Sequence, residues 1–225
     1  MKNKKVGILM ISLGVIAILI AGGLWLSNYL EEMTAAEYSD NVSVTFLEII
    51  TLEAPPIQEA PSGDALFNAP DDSEEPADDE TLRYIIIGEA AYLGVLHIPT
   101  LDLSVPINAG WSYPALRRTP CRFSGSIDGN TLVVAGHNYR GHFANISRLA
   151  LGEPITLTDV DGIVHDYEVV DIIIVAPDRG YEVRHSEYDL TLFTCTSDSK
   201  ARTVVRCMRV ATVEDGEEII DVQPY

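Results

Sequence analysis

Three residues of this 225-residue chain carry complementary chemistry: the thiol of Cys195, the imidazole of His137 and the guanidinium of Arg202. A thiolate is a strong nucleophile, an imidazole moves protons near neutral pH, and a guanidinium steadies a developing oxyanion. Together they are the parts needed for acyl transfer through a thioester. Separately each has a plainer reading. An arbitrary cysteine is usually a small buried apolar side chain, a histidine is more often structural than catalytic, and a strand-edge arginine is usually a solvated charge.

Placement sets these three apart. Cys195 closes the alternating run Thr191-Leu192-Phe193-Thr194-Cys195, in which Thr191, Phe193 and Cys195 share one face, and polar turn-forming residues follow. His137 comes after Ala135-Gly136, at the end of the apolar run Thr131 to Val134. Arg202 opens Arg202-Thr203-Val204-Val205-Arg206-Cys207, a strand expected to pair with the Cys195 strand through a short hairpin connection. Arg206 lies on the same face and is the alternative for the arginine's role, and Thr194 is a lesser candidate for positioning a substrate backbone. His97, His142, His165 and His185 belong to no comparable set, and no spacing of His, Cys or carboxylates matches a metal site. No cofactor or metal is expected.

The elements that must hold these residues read as mainly β. Gly94–Ile98, Leu101–Ile107, Thr131–Val134, Pro154–Leu157, Val164–Val175, Tyr188–Cys195 and Arg202–Val210 are short strand-like runs separated by turn residues such as Asp161-Gly162. Many short strands with regular turn signals point to a sandwich or closed barrel. One helical turn or short helix is predicted over Phe143 to Leu149, where Phe143, Ile146 and Leu149 share a face.

Ahead of the strands, residues 1–5 carry Lys2, Lys4 and Lys5, and residues 6–26 contain no charge. About twenty apolar residues suffice to span a bilayer as a helix. The run is longer than a signal peptide's apolar region, and Ala21-Gly22-Gly23 is followed by Leu24-Trp25-Leu26 rather than polar sequence, which favours an uncleaved anchor. Trp25 and Tyr29 fall where rings favour the water interface, and no Lys or Arg follows until Arg83. The asymmetry predicts a single-pass protein with its N-terminus in the cytoplasm and its C-terminal domain outside.

Residues 27–82 read as an acidic extracytoplasmic linker, broken by Pro55-Pro56, Pro61, Pro70 and Pro76, with a short strand or helix allowed over Val42 to Leu52. A lid over the active site is the sharper alternative to a solvated tether. Residues 83–215 form the expected catalytic domain and 216–225 an acidic tail. The net charge of −19 argues against a nucleic-acid partner. Three cysteines make an odd count: Cys121 and Cys207 either pair, leaving Cys195 as the reactive thiol, or remain buried thiols.

The combination resembles the sortases of Gram-positive bacteria. Thr191-Leu192-Phe193-Thr194-Cys195 is similar to their Thr-Leu-x-Thr-Cys signature, and Arg202 stands where their catalytic arginine opens the next strand. Ala135-Gly136-His137 with Phe143 and Leu149 resembles their histidine loop, and Ile98-Pro99 and Val105 to Ile107 resemble their first strands. The resemblance covers roughly residues 84 to 212. It implies an eight-stranded β-barrel with short helices and a cysteine transpeptidase that cleaves a C-terminal sorting signal of the Leu-Pro-x-Thr-Gly type. The acyl group would pass to an amine of a peptidoglycan precursor or a pilin lysine. No subclass pattern fits throughout. Gly136-His137-Asn138 with Phe143 is class B-like, but Pro177 to Tyr188 is short for that class's inserted helix. The acidic segment lacks the class C lid motif, and Trp111 to Thr119 carries Arg117 and Arg118 where some class A members bind calcium. These departures leave room for a class D-like role. A cysteine peptidase without efficient transfer and an inactive surface-binding β-domain are the competing functions.

Overall fold

The computed structural model describes residues 2–52, 58–59, 82–185 and 187–210. Most of the acidic segment after Leu52 and the C-terminal tail lie outside the described residues. Ten strands follow a long first helix: β1 (Gln58–Glu59), β2 (Arg83–Ile87), β3 (Ala90–Ile98), β4 (Leu103–Asn108), β5 (Cys121–Ser124), β6 (Leu132–Ala135), β7 (Pro154–Asp159), β8 (Val164–Val175), β9 (Leu190–Cys195) and β10 (Arg202–Arg209). They form one sheet in the order β1-β2-β3-β4-β5-β6-β9-β10-β8-β7, and β7 returns to pair with β3. That last pairing closes β3 through β10 into an eight-stranded barrel, which leaves no open edge among those strands. β1 and β2 extend outward from β3.

Alternation along the strands fills the barrel. Leu96, Ile98, Val105, Ile107, Leu132, Val134, Ile155, Leu157, Leu190, Leu192 and Val205 point inward into one continuous core. Phe143, Ile146 and Leu149 plug that core from the loop after β6, but the helical segment there is a single 3-10 turn over Ile146–Arg148. Two short helices, α2 (Tyr113–Leu116) and α3 (Gly180–Arg184), sit on the outside. Ser112 caps α2 by accepting a hydrogen bond from the Ala115 N–H at 3.1 Å, and α3 lays Val183 against Val133 and Val204.

The first helix, α1 (Lys2–Leu52), is longer than the sequence reading allowed. It does not stop where the apolar run ends. Its apolar part is exposed, and α1 is the one helix among the described residues long and apolar enough to cross a membrane. Its second half lies on the barrel. Val42 and Phe46 pack with Ile85, Tyr92, Val95 and Val160, and Ser39 and Ser43 are buried beside them. The Tyr38 and Tyr92 hydroxyls meet at 3.2 Å. Residues 27–52, read as linker, are therefore helix. Ala35, Ser39, Val42, Phe46 and Ile49 recur at the three- and four-residue spacing that puts them on one helix face.

All three cysteines are free thiols, so Cys121 and Cys207 do not pair. They sit on β5 and β10, which β6 and β9 separate. Three strand spacings of about 4.8 Å exceed the Cα separation a disulfide spans. Each is a buried apolar side chain, and burial pushes both thiols up to about 12.

Candidate active site

Strand register brings the candidate residues to one place. β9 and β10 are antiparallel neighbours, and Cys195 is the direct register partner of Arg202. Partners in an antiparallel pair project from the same face, with Cβ atoms about 4.5–5.5 Å apart. The intervening turn fixes that register. Thr196 N–H donates to the Ala201 carbonyl at 3.0 Å, and Ala201 N–H donates to Thr196 Oγ1 at 3.1 Å. Asp198 accepts from the Thr196 hydroxyl at 2.7 Å and from Lys200 N–H at 3.1 Å, and these bonds hold its carboxyl below the usual range.

His137 arrives from the other side of β9. β6 runs parallel to β9 with Val133 opposite Thr191 and Ala135 opposite Phe193. Two residues further on, the same register sets His137 level with Cys195. The ladder continues past the strand end, since Gly136 N–H donates to the Phe193 carbonyl at 3.0 Å. Val133 and Ala135 belong to the outer clusters that also hold Phe193, whereas Leu132 and Val134 face the core. By alternation His137, Cys195 and Arg202 face outward together. The site is on the outer wall of the barrel.

Gly136 is required by a close approach. A Cβ there would lie 2.4 Å from Cδ2 of the Phe143 ring. The glycine lets Phe143 pass beneath the turn into the core, and Phe143 N–H donates to the His137 carbonyl at 3.0 Å. The backbone on both sides of His137 is thus pinned, to β9 on one side and through Phe143 to the core on the other.

His137 is half-buried and Tyr139 stacks on it, ring centroids 4.6 Å apart and planes 12° from parallel. Burial lowers the His137 pKa, the Glu31 carboxylate opposes that shift, and Arg117 adds to it. His142 is buried behind the loop. Its Nε2–H donates to the Arg118 carbonyl at 3.1 Å, and burial lowers it to about 4.

The remaining two candidates sit elsewhere. Thr194 is on the core side of β9, its hydroxyl buried without a hydrogen-bond partner. Arg206 pairs in register with Thr191, four positions from Cys195, or about 13 Å along the strand. It donates to Asp171 Oδ2 at 3.1 Å and lies over the Tyr188 ring. The arginine beside the thiol is Arg202, which donates to the Ala201 carbonyl at 3.1 Å. Sequence reasoning missed Tyr139 and Glu31, which meet only when α1 docks. Among the described residues no group of His, Cys, Asp or Glu is arranged to hold a metal.

No curated protein matches the chain. Among solved structures, the chain is similar to a sortase D5 transpeptidase of Clostridium perfringens, 21% identical, covering 53% of this chain and 79% of that one with a TM-score of 0.49. It is similar to a Clostridium perfringens sortase C solved with the C-terminal cell wall sorting motif, 26% identical, covering 53% and 71% of the two chains with a TM-score of 0.48. It is also similar to sortase C-1 of Actinomyces oris, 28% identical, covering 52% and 73% with a TM-score of 0.47. The family description "Sortase domain" matches residues 96–210, more than half of the chain and the span that contains His137, Cys195 and Arg202. This chain, an eight-stranded barrel with a candidate membrane anchor ahead of it, belongs to the sortase family.

Proposed function

We propose that the chain is a membrane-anchored cysteine transpeptidase acting on a C-terminal sorting signal of the Leu-Pro-x-Thr-Gly type. The observation that carries this reading is the three-strand register, which delivers a thiol, an imidazole and a guanidinium to one level of one face. The Cys195 thiolate adds to the Thr carbonyl carbon of the signal, and the charge that builds on its oxygen is met by the Arg202 fork. As the tetrahedral species collapses, the bond to the Gly nitrogen breaks and the His137 imidazolium gives that nitrogen its proton. An incoming amine then attacks the thioester. Its proton passes to His137, a new amide bond forms, and the Cys195 thiolate leaves. Thr194, whose side chain faces the core, contributes through its backbone.

The anchor is residues 6–26, with Lys2, Lys4 and Lys5 on the cytoplasmic side and the barrel outside. The amine is one of a cell-wall precursor or a pilin. The test uses the full chain in detergent, a panel of sorting-signal peptides, and triglycine as amine, followed by mass spectrometry. Ligation of triglycine and a Cys195 adduct, both absent in Cys195→Ala, are the expected results. Cleavage without ligation would make the chain a cysteine peptidase. Binding without either product, unchanged in Cys195→Ala, would make it a binding domain.

A further inference from the structure

The surface of α1 that follows the apolar run meets the histidine loop at three consecutive residues. Glu31 Oε1 accepts from the Tyr139 hydroxyl at 3.3 Å and faces Arg117 Nε at 3.6 Å. Glu32 Oε1 accepts from the Arg140 backbone N–H at 2.6 Å. At Gly141 the two backbones nearly touch, since a Cβ there would lie 2.6 Å from the Ala36 Cβ. The contact is one-sided in an informative way. α1 could have buried Val42 and Phe46 against β2 and β3 without touching this loop, yet about two to three turns nearer the membrane it holds residues 139, 140 and 141. Tyr139, held by its hydroxyl, lies flat on the His137 ring.

We infer that Glu31 and Tyr139 are positioning residues for His137, and that the juxtamembrane part of α1 is a structural component of the active site. The inference rests on the role given to His137 above. An imidazole on a half-exposed loop can turn about its χ angles, and a parallel ring removes much of that freedom. The face of the phenol also attracts a cationic ring, so the stack favours the imidazolium that must protonate the leaving amine. Glu31 acts in the same sense through its charge, against the burial of His137 and against Arg117. The other charged or titratable groups around the ring are Glu32 on α1, Arg140 and His142 in its own loop, Cys195 on β9 and Arg202 on β10. Because α1 continues into the apolar run without a break, the reach from Leu26 to Ala35 is about 13 Å at 1.5 Å per residue. The clamp therefore also fixes the site close to the membrane surface, within range of a substrate and an amine that are themselves held at the membrane.

The experiment uses the full chain in detergent micelles with Glu31→Gln, Tyr139→Phe and Tyr139→Ala. Two readouts are taken: titration of the His137 ring by carbon-13 histidine NMR, and kcat and KM for peptide ligation. Tyr139→Phe keeps the ring but releases it from Glu31, so its kcat should fall between those of wild type and Tyr139→Ala. Tyr139→Ala should lower kcat about tenfold or more, the lower end of general acid–base effects, with KM little changed. Glu31→Gln should move the His137 titration to lower pH, and Tyr139→Ala should shift it by removing both the stack and the cover it gives the ring. Unchanged His137 titration in both variants would overturn the inference, as would a kcat loss that merely follows a lower Tm. If the wild type ligates no peptide, the transpeptidase reading falls, and the NMR titration still decides whether Glu31 and Tyr139 hold His137.

Discussion

Cys195 and Arg202 face each other as direct partners across the β9–β10 ladder, joined by a turn that Thr196 and Asp198 close with hydrogen bonds. The guanidinium is therefore presented beside the thiol from a strand, not from a loop. A site on a strand is set by the register, and register here is fixed by the inward-facing residues Leu190, Leu192 and Val205.

Arg202→Lys keeps the charge and removes the planar fork, so ligation kcat should fall about a hundredfold, the scale of losing one oxyanion donor. Arg206→Ala should cost less than about tenfold by the same scale, because Arg206 is engaged by Asp171 and Tyr188 four register positions away. Steady-state kinetics on the two variants checks the order. A larger loss in Arg206→Ala would transfer the oxyanion role to that residue.

The barrel was legible in the sequence because alternation and turn residues mark strands, and the proposed site residues stand out because Cys195 and Arg202 sit at strand ends and His137 just past one. The strands Val164–Val175 and Arg202–Arg209 follow their predicted spans closely. β2 and β5 were not foreseen: each is only a few residues long and lacks a clean alternation. The docking of α1 carried a signal that was passed over. Ala35, Ser39, Val42, Phe46 and Ile49 form a helical stripe, but Ser39 within it, Ser43 beside it and the acidic, proline-rich sequence that follows make it read as tether. Glu31 and Tyr139 lie 108 residues apart, and nothing local in either relates them before the helix is placed.

Because α1 buries an apolar stripe, the barrel should depend on it. Phe46 is fully buried among Ile85, Tyr92, Val95 and Val160, and Phe46→Ala should destabilise the domain by about 3–5 kcal/mol. Deleting residues 1–52 would expose that apolar patch on β2 and β3 and should lower Tm and promote association. Thermal denaturation followed by circular dichroism, with light scattering, reads both effects. An unchanged Tm in both would mean that the helix does not stay docked in solution.

Thiol chemistry gives a separate check on the site. Cys121 and Cys207 are fully buried with their thiols pushed up to about 12, whereas Cys195 is half-exposed at a strand end. The thiolate is the reactive form, so iodoacetamide should modify Cys195 alone in the native protein. All three should react after unfolding without reductant. Intact-mass spectrometry counts the adducts. Reaction at Cys121 or Cys207 before Cys195 would contradict the burial described above.

His142 makes the fold itself sensitive to acid. Unfolded, it titrates near the usual 6.5; folded, burial holds it near 4. Between those values the unfolded chain binds a proton that the folded chain does not, so stability falls as pH drops from about 6.5 to about 4. Above 6.5 both states are neutral and this group takes nothing away. The full loss below about pH 4 is on the order of 3 kcal/mol. His137, whose pKa is also lowered by burial, adds to the loss with the same sign. His142→Gln keeps an N–H for the Arg118 carbonyl and removes the titration, so its stability should be flatter with pH. Urea denaturation of both proteins at pH 7 and pH 4.5 measures the difference. Equal losses in variant and wild type would mean that His142 is not the group that senses acid, and His137 would carry the remaining slope.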